Sequence, residues 1–464
     1  MNWICSQIGA REHYAVARAL HKSGRLAALV TDWYAFQRQS RKQKVESRNE
    51  EGENRNRFQL SAFKISAFDF LVSAFQYFGR RGQSALAARC SGLPDDLVRA
   101  FPVRSLLWKW RVRRLAARGR SHEAFLHTDA AFASAVARCH LPPHEVFFGY
   151  SYASLETLAA EKQRGALTVL DQIDPGAVEF RLVAEEMARF PELAGPPPPF
   201  PAAYYERNRR EWELADRIIV NSRWSFDALV QQGVPPGKLV IVPLCYEKKA
   251  EMLKAGTPKH RNTETPKHRN TETPPSALRV LWLGQVNVRK GIHYLMAAAR
   301  LLEQNPVAAD VSRLKLEGNH PQVHFDVVGP IGISEAAVKS APPNMTFHGP
   351  VSRDCAEQWY EQSDVFVLPT LSDGFALTQI EAMAHGLPVI ATPNCGEVVS
   401  DGVDGFIVPA RDAEALAGTI RRYLAEPGLL ERHRAAALKK SGQFTLDKLA
   451  VKLEALEDKL RFES

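Results

Sequence analysis

The feature that most constrains the fold is an alternation of short apolar runs and helical stretches in the second half of the chain. The apolar runs are Leu278–Leu283, Val323–Val328, Met345–Phe347, Asp364–Leu368 and Pro388–Ala391. A helical stretch follows the first run at about Gly291–Glu303. Short apolar strands that alternate with helices indicate a parallel sheet covered on both faces. Ligands of such sheets bind beyond the carboxyl ends of the strands, where Gly284, Gly329 and Gly349 fall.

The first half of the chain shows the same alternation. Its apolar runs are Asn2–Ser6, Ala27–Val30, Glu145–Gly149, Ala166–Leu170 and Arg217–Val220. The loop after the first run carries Gly9, and a helical stretch then continues to about Lys22. The sequence therefore predicts an α/β protein with two Rossmann-like, doubly wound parallel-sheet domains. We expect the two domains to face each other across a cleft that clamps a ligand.

Two polar segments mark the expected domain boundaries. The octapeptide TPKHRNTE occurs twice in succession, at Thr257–Glu264 and Thr265–Glu272, and two prolines follow soon after it. Such a segment cannot enter a core, so we assign 247–276 as an exposed linker between a first domain at 1–246 and a second at 277–440. We also expect an insertion in the first domain at about 38–125, where the stretch 38–57 is almost free of apolar residues.

Composition places the chain among ordinary globular proteins. It has 464 residues, a formal charge of +8 and 45% hydrophobic residues, which excludes a disordered chain or a fibre. No apolar run reaches the roughly 18 residues that a membrane-spanning helix needs, and the N-terminus lacks the pattern of a signal peptide. The cysteines form no CxxC pair, so they indicate isolated thiols in a reducing compartment rather than a zinc site. We therefore expect a cytoplasmic protein with no metal. No nucleic-acid-binding module is recognisable.

The most informative segment is Pro369–Pro409. Within it, Phe375–His385 has a helix-forming composition, and Gly386 stands where the helix would stop. Ser372 and Asp373 precede the stretch, where an N-terminal cap belongs. The free N–H groups and the dipole at this N-terminus favour a diphosphate. The residues expected to contact it are Gly374, Phe375, Ala376 and Leu377.

Asp373 and Glu381 are candidate ligands for a sugar nucleotide. They are eight residues apart, and eight residues of helix rise about 12 Å, comparable to the length of a nucleotide diphosphate. One carboxylate could hold sugar hydroxyls while the other holds ribose hydroxyls, because an ionised oxygen accepts several strong hydrogen bonds. The spacing equally allows Asp373 to be only a helix cap and Glu381 only a surface residue.

With its surroundings, this segment resembles the family 4 glycosyltransferases of GT-B fold, also called group 1 glycosyl transferases. Their motif EGFGLxxxEAMAxGxPVIAT corresponds to SDGFALTQIEAMAHGLPVIAT here, with Asp373 in place of the first glutamate. The resemblance implies that the second domain binds a nucleotide-sugar donor and that the first binds the acceptor. It also implies that the last segment, 441–464, forms a helix that crosses back to the first domain.

A second motif of that family assigns two cations. Val280–Ala298 resembles the family's GRxxxxKG segment, and Lys290 matches the lysine that binds the donor diphosphate. Gln285 replaces the family's arginine, and the adjacent Arg289 could supply its charge. Two cations beside a diphosphate leaving group stabilise the charge that grows in the transition state. The alternative is that both side chains simply lie at an exposed helix N-terminus.

The resemblance is weaker in the first half. Leu214–Leu229 and Lys238–Glu247 resemble the family's segment ADxVIAxS…KIxVIPNGVD. Gly9 matches the glycine loop that lies beside donor and acceptor. Asp171 and Asp174 stand where the family often shows a His-Asp pair near the reacting sugar.

The resemblance implies transfer of a sugar from a UDP, GDP or ADP sugar to a hydroxyl acceptor, in glycan biosynthesis. It further implies retention of configuration without metal or cofactor. The acceptor would be a sugar or a lipid-linked sugar. The expected nucleotide contacts are Glu381, Gly284, Gly329, Gly349 and, near the base, His348. The alternative is a catalytically degenerate GT-B protein that binds a sugar nucleotide without turnover, which Asp373, Gln285 and Cys245 favour and which intact Lys290 and Glu381 oppose.

Val103–Arg120 is a candidate membrane contact. It contains seven cations, no acidic residue, and two tryptophans, a composition that can lie on an anionic bilayer. We therefore expect peripheral binding at the inner face of the cytoplasmic membrane. The alternative is that Ser61–Phe78, which carries an aromatic stripe, is a core helix and that Val103–Arg120 is its solvated neighbour.

Overall fold

The structure is a computed structural model that describes residues 1–34, 92–247, 277–304 and 322–463. The expected linker at 247–276, apart from its first residue, and most of the expected insertion at 38–125 lie outside this range. Ser61–Phe78 lies outside it as well. No helix in the described part of the chain is long and apolar enough to cross a membrane.

The first half builds one parallel sheet of seven strands. They are β1 (Trp3–Gln7), β2 (Leu26–Thr31), β3 (Val98–Ala100), β4 (Val146–Tyr150), β5 (Leu167–Gln172), β6 (Arg217–Val220) and β7 (Leu239–Ile241). Their order is β3-β2-β1-β4-β5-β6-β7, and every neighbouring pair is parallel. The order reverses between β1 and β4. This reversal is the topological switch point at which doubly wound sheets bind ligands.

Helices cover both faces of this sheet. They are α1 (Ala15–Lys22), α2 (Pro102–Ala116), α3 (Ser121–Ala137), α4 (Leu155–Gln163), α5 (Ala177–Arg189), α6 (Pro191–Ala194), α7 (Ala202–Leu214) and α8 (Arg223–Gln231). Alternate residues of β1 enter opposite cores, because successive side chains of a strand point to opposite faces. Trp3 and Cys5 pack on the side of α1, and Ile4 packs with Phe132 of α3 and Trp212 of α7.

The second half builds a parallel sheet of six strands. They are β8 (Ala277–Leu283), β9 (Gln322–Val328), β10 (Met345–Gly349), β11 (Val365–Leu368), β12 (Val389–Ala391) and β13 (Gly405–Ile407). Their order is β10-β9-β8-β11-β12-β13, again with all pairs parallel. The switch point lies between β8 and β11. The helices are α9 (Ile292–Gln304), α10 (Glu335–Lys339), α11 (Arg353–Glu361), α12 (Leu377–Ala384), α13 (Ala413–Ala425), α14 (Leu429–Ser441) and α15 (Leu446–Glu463).

The predicted fold class is confirmed, and each predicted strand corresponds to an observed one. The edge strands β3, β7 and β13, which have only three residues each, were not predicted from the sequence. Runs this short carry too little periodicity to identify a strand.

The predicted start of the helix in 375–385 is wrong. Helix α12 begins at Leu377, its N-cap is Ala376, and no side chain caps it. Ser372 and Asp373 therefore do not cap this helix. The rise of about 12 Å between Asp373 and Glu381 does not apply either, because Asp373 precedes the helix.

Two segments cross between the halves of the molecule. Helix α15, at the C-terminal end of the described chain, packs against the first sheet through Leu449, Leu453 and Leu456. Its buried Glu457 accepts hydrogen bonds from the Met1 amino group (2.8 Å) and from the Trp3 indole N–H (3.1 Å). These two donors stabilise the position of Glu457, because a buried charge is costly unless it is paired.

Helices α5 and α6 cross in the opposite direction. Leu193 of α6 enters the core of the second sheet. The buried Glu186 of α5 accepts a hydrogen bond from the Tyr294 hydroxyl (2.5 Å), forms an ion pair with Arg411 (Nε to Oε2, 2.8 Å) and contacts His293 Nε2 (3.0 Å). The two crossings hold the carboxyl edges of the two sheets against each other, with a cleft between them.

Candidate active site

The cleft between the two sheets has a volume of about 490 Å³, within the range of small-molecule sites. From the first half it is lined by Arg11, Glu12, Ile173, Asp174, Glu179, Asn221 and Leu244. From the second half it is lined by Arg289, Lys290, Asp373, Gly374, Phe375, Ala376, Leu377 and Thr378. The cleft therefore brings together four of the five predicted catalytic residues, all except Asp171.

The loop after β8 carries both predicted cations. Its turn is closed by Asn287, whose Oδ1 accepts a hydrogen bond from the Lys290 N–H (3.0 Å). Gly291 follows with a φ of +70°, and a Cβ there would lie 1.8 Å from the Pro369 carbonyl oxygen. Only glycine allows this loop to approach the end of β11 so closely. The Leu371 N–H then donates to the Arg289 carbonyl (2.9 Å) and fixes the loop.

Asp373 faces these cations. Its carboxylate forms an ion pair with Lys290 and lies 3.8 Å from Arg289 Nη1. Burial would raise the pKa of Asp373, but the Lys290 and Arg289 charges hold that pKa below its ordinary value. The Asp373 carboxylate is therefore ionised at neutral pH. It partly neutralises the two cations that are predicted to bind a diphosphate.

Glu179 reaches Arg289 from the first half of the chain, and it was not predicted from the sequence. Its Oε2 lies 3.5 Å from Arg289 Nη1 and accepts a hydrogen bond from the Ser372 hydroxyl (2.8 Å). Burial raises the pKa of Glu179 to about 7, against the lowering effect of Arg289. The sequence signal for Glu179 was its position in the first turn of the helix after β5, near the edge of the sheet where ligands bind.

The N-terminus of α12 forms another part of the cleft wall. The Phe375 N–H bonds to the Asp373 carboxylate. At Gly374 a Cβ would lie 2.4 Å from the Ile173 carbonyl oxygen, so glycine permits the two domains to touch here. Ala376 and Leu377 also line the cleft. An anion in the cleft would therefore meet the positive end of the helix dipole.

Asp174 is held rigidly on the opposite wall. Its Oδ1 accepts hydrogen bonds from the Tyr152 hydroxyl (2.8 Å), Gln172 Nε2 (3.0 Å) and the Gly176 N–H (2.9 Å). Tyr152 has a left-handed φ of +72°, a conformation that costs a non-glycine residue roughly 1 kcal/mol or more. The buried Glu211 supports this conformation by accepting a hydrogen bond from the Tyr152 N–H (2.6 Å).

Asp171 lies beneath the cleft rather than in its wall. It is buried at the end of β5 and lines a small internal cavity together with Glu12 and Asn221. Burial raises the pKa of Asp171 well above its ordinary value, and the Glu12 charge adds to the effect. Burial also raises the pKa of Glu12, whose carboxylate accepts a hydrogen bond from the Tyr150 hydroxyl (3.0 Å). Two neighbouring buried carboxyls do not readily ionise together.

Glu381 lies on α12, outside the lining of the cleft. Its Oε2 accepts a hydrogen bond from the buried Tyr360 hydroxyl (2.9 Å). His385 stacks on the Tyr360 ring at 5.1 Å and contacts the Glu381 carbonyl through Nδ1 (2.8 Å). The carboxylate is therefore held in one orientation rather than free on the surface.

The remaining predicted residues lie at the ligand edges of the two sheets. Gly284 and Gly329 follow β8 and β9, and a Cβ on Gly329 would lie 1.7 Å from the Gly284 carbonyl oxygen. Gly349 ends β10, and its carbonyl accepts from the Gly329 N–H (2.9 Å). His348 contacts the buried Asp326 (2.8 Å). In the first sheet, Gly9 has a φ of +83° and donates its N–H to Asp32 (2.9 Å).

Within residues 1–34, 92–247, 277–304 and 322–463, no group of three or more His, Cys, Asp or Glu side chains is arranged to hold a metal ion. The positive charges that face the cleft are those of Arg11, Arg289 and Lys290.

Comparison with known proteins assigns the second half to a family. Residues 277–426 match the family described as glycosyl transferases group 1. A D-inositol 3-phosphate glycosyltransferase of Streptomyces griseus is 29% identical over 263 residues, which cover 54% of this chain and 55% of that protein. One of Kribbella flavida is 26% identical over 263 residues, which cover 54% of this chain and 58% of that protein. The chain thus spans about half the length of the curated relatives it matches.

Solved structures match the whole architecture. Sucrose-phosphate synthase from Thermosynechococcus elongatus aligns over 100% of both chains with a TM-score of 0.56 and 18% identity. HepE from Anabaena, solved in complex with UDP, aligns over 99% of this chain and 100% of its own with a TM-score of 0.54 and 15% identity. Two parallel α/β sheets that face each other across a cleft define the GT-B fold, as the resemblance implied. Within this fold, residues 277–426 carry the match to the group 1 glycosyltransferases.

We predict that Glu179→Gln changes how stability depends on pH. The folded protein holds this carboxyl at a pKa of about 7, above its ordinary 4.5, so the wild type loses stability as pH rises from about 4.5 to about 7. Glutamine cannot ionise. Relative to wild type, the variant should therefore gain up to roughly 2–3 kcal/mol between pH 5 and pH 8.

Urea unfolding midpoints at pH 5 and pH 8 measure this gain. The exposed Glu192→Gln variant controls for the loss of one negative charge. The difference in midpoint between Glu179→Gln and wild type could also be the same at both pH values. That result would show that the Glu179 carboxyl is not held in its protonated form.

Proposed function

We propose that this chain is a glycosyltransferase that moves a sugar from a nucleotide-diphosphate donor to a hydroxyl acceptor. The observation that carries the proposal is the cluster of Lys290, Arg289 and Asp373 at the N-terminus of α12, inside the interdomain cleft. Cations and helix N–H groups together favour a diphosphate. The family match over residues 277–426 supports the same donor class.

The donor would lie along the ligand edge of the second sheet. Lys290, Arg289 and the first N–H groups of α12 would hold the diphosphate, and Glu381 would hold the ribose hydroxyls. The nucleobase of a UDP, GDP or ADP sugar would extend past Gly284 towards the end of β10, where His348 and Gly349 lie. Asp373 would be the carboxylate nearest the transferred sugar.

The acceptor would approach from the first sheet. Asp174 offers an oriented carboxylate on that wall of the cleft, and Glu12 lies close to it in the lining. Carboxylates suit a polyol because each accepts several hydrogen bonds from hydroxyl groups. This arrangement supports a sugar acceptor hydroxyl placed between Asp174 and the donor.

We further propose retention of configuration without a metal ion. Lys290 and Arg289 would stabilise the negative charge that grows on the leaving diphosphate. The leaving phosphate oxygen would take the proton of the acceptor hydroxyl as the new glycosidic bond forms on the same face. The protein would then contribute positioning and charge rather than a strong base.

We predict that one nucleotide family stabilises the wild type and that Glu381→Ala abolishes this effect. A ligand at about 100 times its dissociation constant adds about 2.7 kcal/mol to stability, which is a shift of several degrees in melting temperature. Thermal unfolding with UDP, GDP, ADP and their sugars, with EDTA present throughout, measures it. The exposed Glu361→Ala variant on α11 is the matched control.

Stabilisation that appears only when manganese replaces EDTA would contradict the metal-independent proposal. Nucleotide binding without sugar transfer to any acceptor would favour the degenerate alternative.

A second proposal concerns a lipid-linked acceptor at a membrane. Helix α2 exposes Val103 (65%), Leu107 (65%) and Trp110 (60%). Their spacing of four and three residues places them on one face. Trp108, by contrast, packs against Phe101 and Phe132. An apolar stripe flanked by cations on a helix without acidic residues fits the surface of an anionic bilayer.

We predict that Leu107→Glu lowers binding to anionic vesicles at least threefold, because it places a negative charge in the stripe. Flotation with vesicles of neutral lipid and of neutral lipid plus about a third phosphatidylserine measures this, since each nearby cation contributes about 1 kcal/mol at an anionic surface. Leu438→Glu on α14, where Leu438 is also exposed (53%), is the control. Equal flotation with both vesicle types would contradict the proposal.

A further inference from the structure

The Ser372 side chain links the two domains beside the cations of the cleft. Its hydroxyl oxygen accepts a hydrogen bond from the Trp224 indole N–H (2.9 Å). The same hydroxyl donates to Glu179 Oε2 (2.8 Å). The Ser372 carbonyl accepts a hydrogen bond from Arg289 Nη1 (3.2 Å). Since Arg289 Nη1 also lies 3.5 Å from Glu179 Oε2, the four residues form one continuous chain of contacts.

Both partners of the Ser372 hydroxyl come from the other domain. Trp224 belongs to α8 and Glu179 to α5, which follow strands of the first sheet, whereas Ser372 and Arg289 follow strands of the second. Ser372 itself is fully buried, with 0% exposure. A hydroxyl carries one donor hydrogen and can accept, and here both capacities are used by contacts across the cleft.

The start of α8 docks on the second domain through further contacts. The Arg223 N–H donates to the Glu397 carboxylate (3.0 Å). The Ser225 hydroxyl approaches the Gly374 carbonyl (3.5 Å). These contacts place the Trp224 indole against Ser372, one residue away from Asp373. Separation of the domains would therefore break the contacts of the Ser372 hydroxyl and the contact between Arg289 and Glu179 together.

We infer that Ser372 is a positioning residue that couples closure of the two domains to the placement of Arg289 for the donor diphosphate. The inference rests on the proposed function, since it assigns Arg289 to the donor. When the domains are docked, Glu179 and the Ser372 carbonyl hold the guanidinium from two directions. When the domains separate, the Ser372 hydroxyl loses both of its hydrogen-bond partners, and Arg289 loses its contact with Glu179. The diphosphate then meets a guanidinium that is not held in position from both directions.

A hydrogen bond that only stabilises the fold would leave the affinity for a nucleoside diphosphate unchanged, whereas coupling of Ser372 to Arg289 predicts that this affinity falls. Trp224→Phe removes the indole N–H, and Ser372→Ala removes the hydroxyl. Each variant should bind the nucleoside diphosphate that stabilises the wild type about five- to tenfold more weakly. Because both act on one chain of contacts, the double variant should be no weaker than the poorer single variant, rather than showing the product of the two losses.

Isothermal titration of the full chain with that nucleoside diphosphate measures the losses. Ser334→Ala is the matched control. The Ser334 hydroxyl also crosses between the two parts of the molecule, by donating to the Glu192 carbonyl (2.7 Å), but it lies outside the lining of the cleft. The Ser334→Ala variant should bind the nucleoside diphosphate with the affinity of the wild type.

The outcomes separate the inference from the proposed function. Wild-type binding that is unchanged in Ser372→Ala, or losses that multiply in the double variant, would overturn the inference alone. If the wild type binds no nucleoside diphosphate, the proposed function fails. Small-angle scattering then tests separately whether Ser372 and Trp224 hold the two domains closed. A larger radius of gyration for the double variant supports the coupling of Ser372 to closure, and an unchanged one overturns it.

Discussion

The two domains meet in their cleft at a cluster of charged groups. Two cations, Lys290 and Arg289, stand against the Asp373 carboxylate of the same domain, and the Glu179 carboxyl of the other domain contacts Arg289. Charges are costly to remove from water unless they are paired. The two sheets must therefore present their carboxyl edges to each other at a fixed separation for this cluster to form. In the proposed function, Lys290 and Arg289 of this cluster would hold the diphosphate.

The separation is maintained by segments that leave one domain and pack on the other. Helix α15 returns to the first sheet, where its buried Glu457 is surrounded by donors from the N-terminal strand. Helices α5 and α6 travel the other way, and Glu186 is bound by Tyr294 and Arg411 of the second domain. Each crossing places one buried carboxylate among partners from the opposite domain. This arrangement gives the cleft two walls that can separate only if such pairs are broken.

The sequence predicts the sheets well because strand formation is a local property of apolar runs. It does not predict the short strand Gly405–Ile407, which is held by its neighbour rather than by its own pattern. The cap assigned to Asp373 was wrong because its real partner, Lys290, lies 83 residues away. Glu179 was missed for the same reason, since Arg289 and Ser372 lie 110 and 193 residues from it. The motifs predict Lys290 and Arg289 as donor-binding residues, and only the fold reveals that Glu179 of the first domain meets Arg289.

The proposed function depends on the binding of a diphosphate by the cleft cations. The most direct test compares the affinity of a nucleoside diphosphate with that of the matching monophosphate, for the wild type and for Lys290→Gln. We expect the wild type to prefer the diphosphate at least tenfold, or about 1.4 kcal/mol, and the variant to lose most of this preference. A preference of the same size in both proteins would show that Lys290 does not bind the diphosphate.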